Sequence, residues 1–221
     1  MTKLAIFDCD GTLVDSGATI HRALAETFDA HGLELPPVRE CRKVIGLSLT
    51  EAMAALVPDA TDGGHVELAE TYKSCFQRAR QNGLVEEPMF DGILELLDGL
   101  ESDGWLLAVA TGKSDRGLRH CLESHGLHAR FVSLQTADRH PSKPSPSMAL
   151  AAMADAGASP GRTVVVGDTS FDIAMGVAAG ASAIGVGWGY HEPAELLAAG
   201  ARAVADVPAD VRNLAKESVD G

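Results

Sequence analysis

Asp8 ends a short apolar run near the start of the chain, KLAIFD from residue 3, and Asp10 follows two residues later. Thr111 ends a second apolar run, WLLAVAT, and Asp168 a third, TVVVGD. Lys143 stands in the loop Pro141-Ser142-Lys143-Pro144 ahead of a helical pattern, and Asp172 lies four residues beyond Asp168. Carboxylates, a hydroxyl and a lysine gathered at one place suit chemistry on a phosphate. A phosphate monoester is a dianion, and its uncatalysed hydrolysis is among the slowest reactions known. At about 4 Å and an effective dielectric of about 20, two like unit charges repel by about 4 kcal/mol, so a bare carboxylate approaching a dianion meets roughly twice that. A lysine and a divalent cation reverse the sign. Magnesium suits such donors, because its ligands are hard oxygens and it keeps several waters.

For these residues to meet, the runs that carry them must lie side by side. Each run reads as a buried parallel strand. In an open parallel sheet, ligands bind beyond the carboxyl ends of the strands, which is where Asp8, Thr111 and Asp168 would converge. From about Asn82-Gly83 onward, helical and strand patterns alternate: 92–100 then 105–111, 116–124 then 131–136, 147–156 then 163–168, 171–179 then 182–186, 193–199 then 203–206, and a last helix. Repeated β-α units imply right-handed crossovers and helices on both faces of the sheet. Between Ser16 and about Arg80 the pattern is helical, with no strand signal. Ser16 is placed to cap a helix ending at His31-Gly32. Further helices are expected over 48–57 and 65–80, separated by Pro58 and Gly63-Gly64. The expected fold is therefore α/β: a doubly wound parallel-sheet core from residues 1–14 and 87–221, with an all-helical domain, 15–86, inserted after the first strand.

The run Asp8-Cys9-Asp10-Gly11-Thr12-Leu13-Val14-Asp15-Ser16 resembles the first motif of the haloacid dehalogenase-like hydrolase superfamily. Thr111-Gly112, Lys143-Pro144 and Gly167-Asp168-Thr169-Ser170-Phe171-Asp172 resemble its other three motifs, in the family's order. The helical insert resembles the cap of the phosphoglycolate phosphatase and β-phosphoglucomutase branch, and the segment GVGWGYH, 185–191, is similar to phosphoglycolate-phosphatase-like members. The resemblance implies a Rossmann-like core, a cap that closes over substrate, and Mg2+-dependent hydrolysis of a small phosphate monoester through an aspartyl-phosphate. It implies that Asp8 is the nucleophile and that Asp10 protonates the leaving alkoxide and then activates water. Thr111 and the Gly112 N–H would bind phosphoryl oxygens, and Lys143 would neutralise transition-state charge. Asp8, the Asp10 carbonyl and Asp168 would hold the metal, with Asp172 supporting it. Dehalogenase members lack the second aspartate, and ATPase members carry threonine there, so Asp10 favours phosphoryl transfer completed by water. A β-phosphoglucomutase-like mutase would use the same residues. A phospho-aspartate signalling switch fits less well, because such receivers carry the acceptor on a later strand and have no large helical insert, and Asp10 beside the nucleophile implies an intermediate too short-lived for a signal.

The rest of the chain sets bounds. With 31 acidic against 18 basic residues and a formal charge of −13, nucleic acid and anionic membranes would be repelled. A small phosphorylated metabolite could still bind at a metal-loaded site. The four cysteines have neither zinc-site nor redox spacing, and an acidic motif interrupts the first apolar run within eight residues. A cytoplasmic protein, monomeric or homodimeric, is the expectation. Arg42 and Lys43 are candidates for a contact from the insert to a substrate anion, against the plainer reading of a solvated helix face. Asp15 and Ser16 read as caps, Thr12 as a loop stabiliser, and Cys9 as a small filler between two acids.

Overall fold

The computed structural model describes residues 2–220. Six strands, β1 (Lys3–Phe7), β2 (Trp105–Thr111), β3 (Phe131–Thr136), β4 (Thr163–Gly167), β5 (Ser182–Val186) and β6 (Ala203–Ala205), form one sheet. Its order is β3-β2-β1-β4-β5-β6, and every neighbouring pair is parallel. The chain winds outward from β1 to β3, returns to lay β4 against the other side of β1, and winds outward again. The direction of winding thus reverses between β1 and β4, where such sheets open a crevice for a ligand.

Alternation along the strands divides the core in two, as a period of two residues requires. Ala5, Phe7, Leu107 and Val109 face a cluster with Ile93, Leu97 and Leu100 of α5 (Ile93–Ser102), Leu118 of α6 (Asp115–Ser124) and Val211 of α10 (Pro208–Asp220). Helices α1 (Gly17–Ala30), α2 (Val38–Lys43), α3 (Leu49–Leu56) and α4 (Asp62–Gln81) precede α5 in the chain, while α7 (Ser147–Ala156), α8 (Ser170–Ala178) and α9 (Pro193–Ala198) follow α6. Leu4, Ile6, Ala108 and Val165 face the opposite cluster, with Met148 and Ala152 of α7 and Met175 of α8. This is the doubly wound, Rossmann-like sheet expected from the pattern.

Helices α1 to α4 have a core of their own, built on Leu24, Phe28, Met53, Leu68 and Tyr72. The two segments joining them to the sheet run side by side. Asp15 N–H donates to Pro88 O at 2.8 Å, Phe90 N–H donates to Leu13 O at 3.1 Å, and Val14 pairs with Met89 as an antiparallel bridge. Two details depart from the sequence reading. Gly63-Gly64 do not separate helices: Thr61 accepts from Gly64 N at 3.2 Å, and this cap starts α4 ahead of them. Helix α2 has no counterpart among the helices expected from the sequence, because six residues are too few to show a helical period. Among the described residues, no helix is long and apolar enough to cross a membrane.

Candidate active site

Strand register brings the strand-end residues together. Phe7 is level with Val109 of β2 and Val166 of β4. Asp8, one residue on, is held by its own N–H donating to Val166 O at 2.9 Å, with Thr111 and Asp168 just beyond that level on either side. Asp8, Thr111, Asp168 and Asp172 are all buried, as is Lys143 at 1% exposure, so a lysine has been taken wholly out of water. Such burial is tolerated only where opposite charge is close.

Lys143 Nζ lies 2.8 Å from Asp8 Oδ1 and 2.5 Å from Asp172 Oδ1. Burial by itself would lower its pKa, but Asp172 and Asp8 outweigh that and hold the ammonium above its ordinary value. Asp172 is fixed from behind by the start of α8, where Thr169 N–H (3.0 Å) and Thr169 Oγ1 (2.6 Å) both donate to its Oδ2. Asp168 accepts from Thr12 Oγ1 at 2.9 Å and from the Tyr190 N–H at 2.9 Å. Burial, then the charges of Asp172 and Asp8, push its carboxyl well above the usual range. Asp8 is pushed up to about 7, chiefly by burial and against the pull of Lys143.

Asp8, Asp168 and Asp172 present oxygens within 4.8 Å of one another. Asp8 Oδ2 is buried and has no hydrogen-bond partner in the protein. Three carboxylates facing one lysine leave an excess of negative charge in a dry place, and an all-oxygen donor set with an unpartnered oxygen fits a hard divalent cation. Gly11 makes the close packing here achievable: its φ of 83° lies in the left-handed region, and a Cβ would collide with the Asp168 carboxylate.

Asp10 occupies a second, adjoining cluster. Its Oδ1 accepts from Ser16 Oγ and lies 2.8 Å from Lys113 Nζ, which also pairs with Glu87 Oε1 at 2.6 Å. Burial opposes the Lys113 charge, yet Asp10 and Glu87 more than compensate and hold its pKa well above the ordinary value. Arg80 reaches Glu87 Oε2 at 3.4 Å, and Tyr190 Oη lies 3.4 Å from Ser16 Oγ. Lys113, Glu87 and Tyr190 were missed in the sequence. A lysine two residues past a strand-end threonine was a readable signal for Lys113. Glu87 sits in a linker, and Tyr190 reaches Asp168 with its backbone and Ser16 with its hydroxyl from the far end of the chain, so neither carried one. Ser16 is at the start of α1 but makes no capping bond; its hydroxyl is used by Asp10 instead.

The insert meets this end of the sheet through its 43–48 segment. Ser48 N–H donates to Ser142 Oγ at 2.8 Å, and Gly46 lies against the Thr169 side chain. His191 Nδ1 accepts from Ser170 N–H at 3.1 Å, which leaves Nε2–H to donate to Lys43 O at 3.3 Å. Gly112 faces the same segment so closely that a Cβ would come within 2.5 Å of Leu47 O. The side chains of Arg42 and Lys43 are not brought to the site. Both are exposed, Lys43 pairs with Glu40 at 3.2 Å, and neither lines the cavity between insert and sheet. What approaches the strand ends is the backbone that follows them, because the turn after α2 directs 44–48 inward and leaves the helix face in water.

Buried carboxylates around a lysine, at the switch point of a doubly wound sheet, define a phosphoryl-handling class of site on a Rossmann-like scaffold. The chain belongs to the haloacid dehalogenase-like hydrolases, whose family model matches residues 5–186. It is 36% identical over 216 residues to a probable phosphatase, IndB, of Dickeya dadantii, covering 96% of this chain and 92% of that protein. It is 31% identical over 197 residues to a phosphoglycolate phosphatase of Agrobacterium fabrum, covering 87% and 83%. A hydrolase from Pseudomonas syringae superposes with a TM-score of 0.85 at 26% identity, over 98% of this chain and 99% of that one. The protein is an enzyme, a phosphohydrolase of this family.

Proposed function

We propose that the protein hydrolyses a small phosphate monoester in two steps through a phosphorylated Asp8, with Mg2+ as cofactor. The observation that carries the reading is the state of Asp8: one carboxylate oxygen meets Lys143 at 2.8 Å, and the other is buried without a hydrogen-bond partner. A free oxygen beside a neutralising ammonium is what attack on phosphorus requires. In the first step Asp8 Oδ2 bonds to phosphorus, and the bond to the ester oxygen breaks. Asp10, two residues on, gives that oxygen its proton. In the second step Asp10 takes a proton from water, whose oxygen attacks phosphorus and releases inorganic phosphate and Asp8. Thr111 and the Gly112 N–H bind phosphoryl oxygens, and Lys143 offsets the charge that builds on them.

Asp8, Asp168, Asp172 and the Asp10 carbonyl would hold the magnesium ion, which when bound supplies positive charge to the phosphoryl oxygens. Residues 1–14 and 87–221 act as the catalytic core, and 15–86 as a cap that shields the reacting groups from bulk water. The paired linkers at 13–15 and 88–90 are where that cap would hinge. Asp8→Asn tests the reading: it is expected to fold and to release no phosphate from any ester that the wild type cleaves with magnesium. A folded variant with wild-type activity would sink the assignment.

A further inference from the structure

The cavity between the insert and the strand ends has a volume of about 370 Å³, bounded at one end by Asp10, Gly112 and Lys113. We infer that the ester cleaved here carries a sizeable, largely apolar, ring-bearing alcohol, and not glycolate or a sugar; the inference rests on the phosphatase reading above. The volume falls in the range of about 300–1,000 Å³ typical of sites for drug-sized ligands. Glycolate, with only a few heavy atoms, would leave most of it to water.

The apolar part of the lining is Ile20, Leu24, Leu49, Met53, Tyr72 and Phe76, beside the polar Ser74, Gln77 and Ser114. The Tyr72 hydroxyl is the sole polar side-chain group among these six. A sugar pressed against them would have its hydroxyls stripped of water and left unpaired, which binding sites avoid. Two tilted rings lie along the wall one helical turn apart, Tyr72 and Phe76, with centroids 6.0 Å apart and planes inclined by 38°, and Arg80 and Lys113 lie 5.3 and 5.8 Å from the Phe76 centroid. The part of these rings left open offers an apolar group an aromatic surface.

Charge separates the inference from phosphoglycolate. A second anionic group near the phosphate needs a cation that is not already neutralised. Lys113 is committed to Asp10 at 2.8 Å and Glu87 at 2.6 Å, and Arg80 to Glu87 at 3.4 Å. Two cations thus share two acidic side chains. Lys73 is likewise paired with Glu70 at 2.7 Å. Arg116 also lines the cavity but is exposed, where water and salt screen its charge.

The test compares kcat/KM for 2-phenylethyl phosphate, 2-phosphoglycolate and glucose 6-phosphate, with magnesium present. The first two have alkoxide leaving groups of similar quality, so the ratio reports binding of the alcohol. 2-Phenylethyl phosphate is expected to lead by about tenfold or more, the scale on which apolar pockets discriminate. Phe76→Ala, and separately Leu49→Ser in case the first fails to fold, should narrow that ratio. Equal or better turnover of 2-phosphoglycolate or glucose 6-phosphate would overturn the inference and leave the phosphatase reading standing. Phosphate release from none of the esters would overturn both.

Discussion

Lys143 Nζ and Asp8 Oδ1 are 2.8 Å apart in a place closed to water, although the whole insert and the strands β2 and β3 separate the two residues in sequence. The contact joins the end of β1 to the loop before α7. It also ties the catalytic reading to stability, because neither charge could be left there alone.

Removing the lysine should therefore do more than slow turnover. Lys143→Met leaves Asp8, Asp168 and Asp172 facing one another with no cation. A loss of about 3–5 kcal/mol is expected, the usual cost of breaking a buried pair. Denaturant melts in EDTA would measure it, and magnesium should recover part of the loss. A variant as stable as wild type in EDTA would mean that the pair carries little of the fold.

Asp8 gives a pH dependence with a definite sign. Its folded value is pushed up to about 7, chiefly by burial, from an ordinary 3.8. Between those values the folded chain keeps a proton that the unfolded chain has released. Stability without metal should fall as pH rises through that window, with the full cost present above about 7. Asp8→Asn removes this titration, so its melts in EDTA should fall less steeply between pH 4 and 7. An unchanged slope would show that Asp8 does not titrate in this range. Asp168, raised for the same reason, keeps the variant's slope from vanishing.

Lys113 holds Asp10 and Glu87 together, so its loss should act on the proton-transfer step. Lys113→Met is expected to lower kcat by about tenfold to a hundredfold, less than the roughly 10²–10⁴ that a general acid–base group itself contributes, because Asp10 is displaced and not removed. Glu87→Gln keeps the Lys113–Asp10 contact and should cost less. Steady-state kinetics that rank the two variants in the opposite order would contradict the arrangement.

Gly112 and the insert are in backbone contact, which makes a single methyl group informative. In Gly112→Ala the new Cβ would lie 2.5 Å from Leu47 O, and backbone on both sides must shift. A destabilisation of about 1–3 kcal/mol is expected from overpacking, with a raised KM. By contrast, Arg42→Ala and Lys43→Ala touch only solvent-exposed side chains and should leave kcat/KM within about twofold, as surface changes usually do.

Strand ends were the most legible part of this chain. Apolar runs closing in Asp8, Thr111 and Asp168 announce both a parallel sheet and the edge where it would act, because register in such a sheet aligns strand ends from distant sequence. Lys143 and Asp172 were legible through their spacing and their resemblance to known motifs. The Asp10 cluster was not. Lys113 comes from the loop after β2, Glu87 from a linker and Ser16 from the first turn of the insert, and only folding brings them together. Arg42 and Lys43 misled because charge near a turn says nothing about which way a helix of six residues faces.

The central claim, that Asp8 carries the phosphoryl group, is tested most directly by trapping it. Asp10→Asn, given p-nitrophenyl phosphate, whose leaving phenolate needs no proton, should form the acyl-phosphate and hydrolyse it slowly, so the intermediate accumulates. Quenching this variant with a cleaved ester and magnesium, then reducing with borohydride, converts a phosphorylated aspartate to homoserine. Peptide mass spectrometry is expected to find homoserine at position 8 and at no other aspartate. Rapid phosphate release by the wild type, with homoserine absent from position 8 or present elsewhere, would contradict the account.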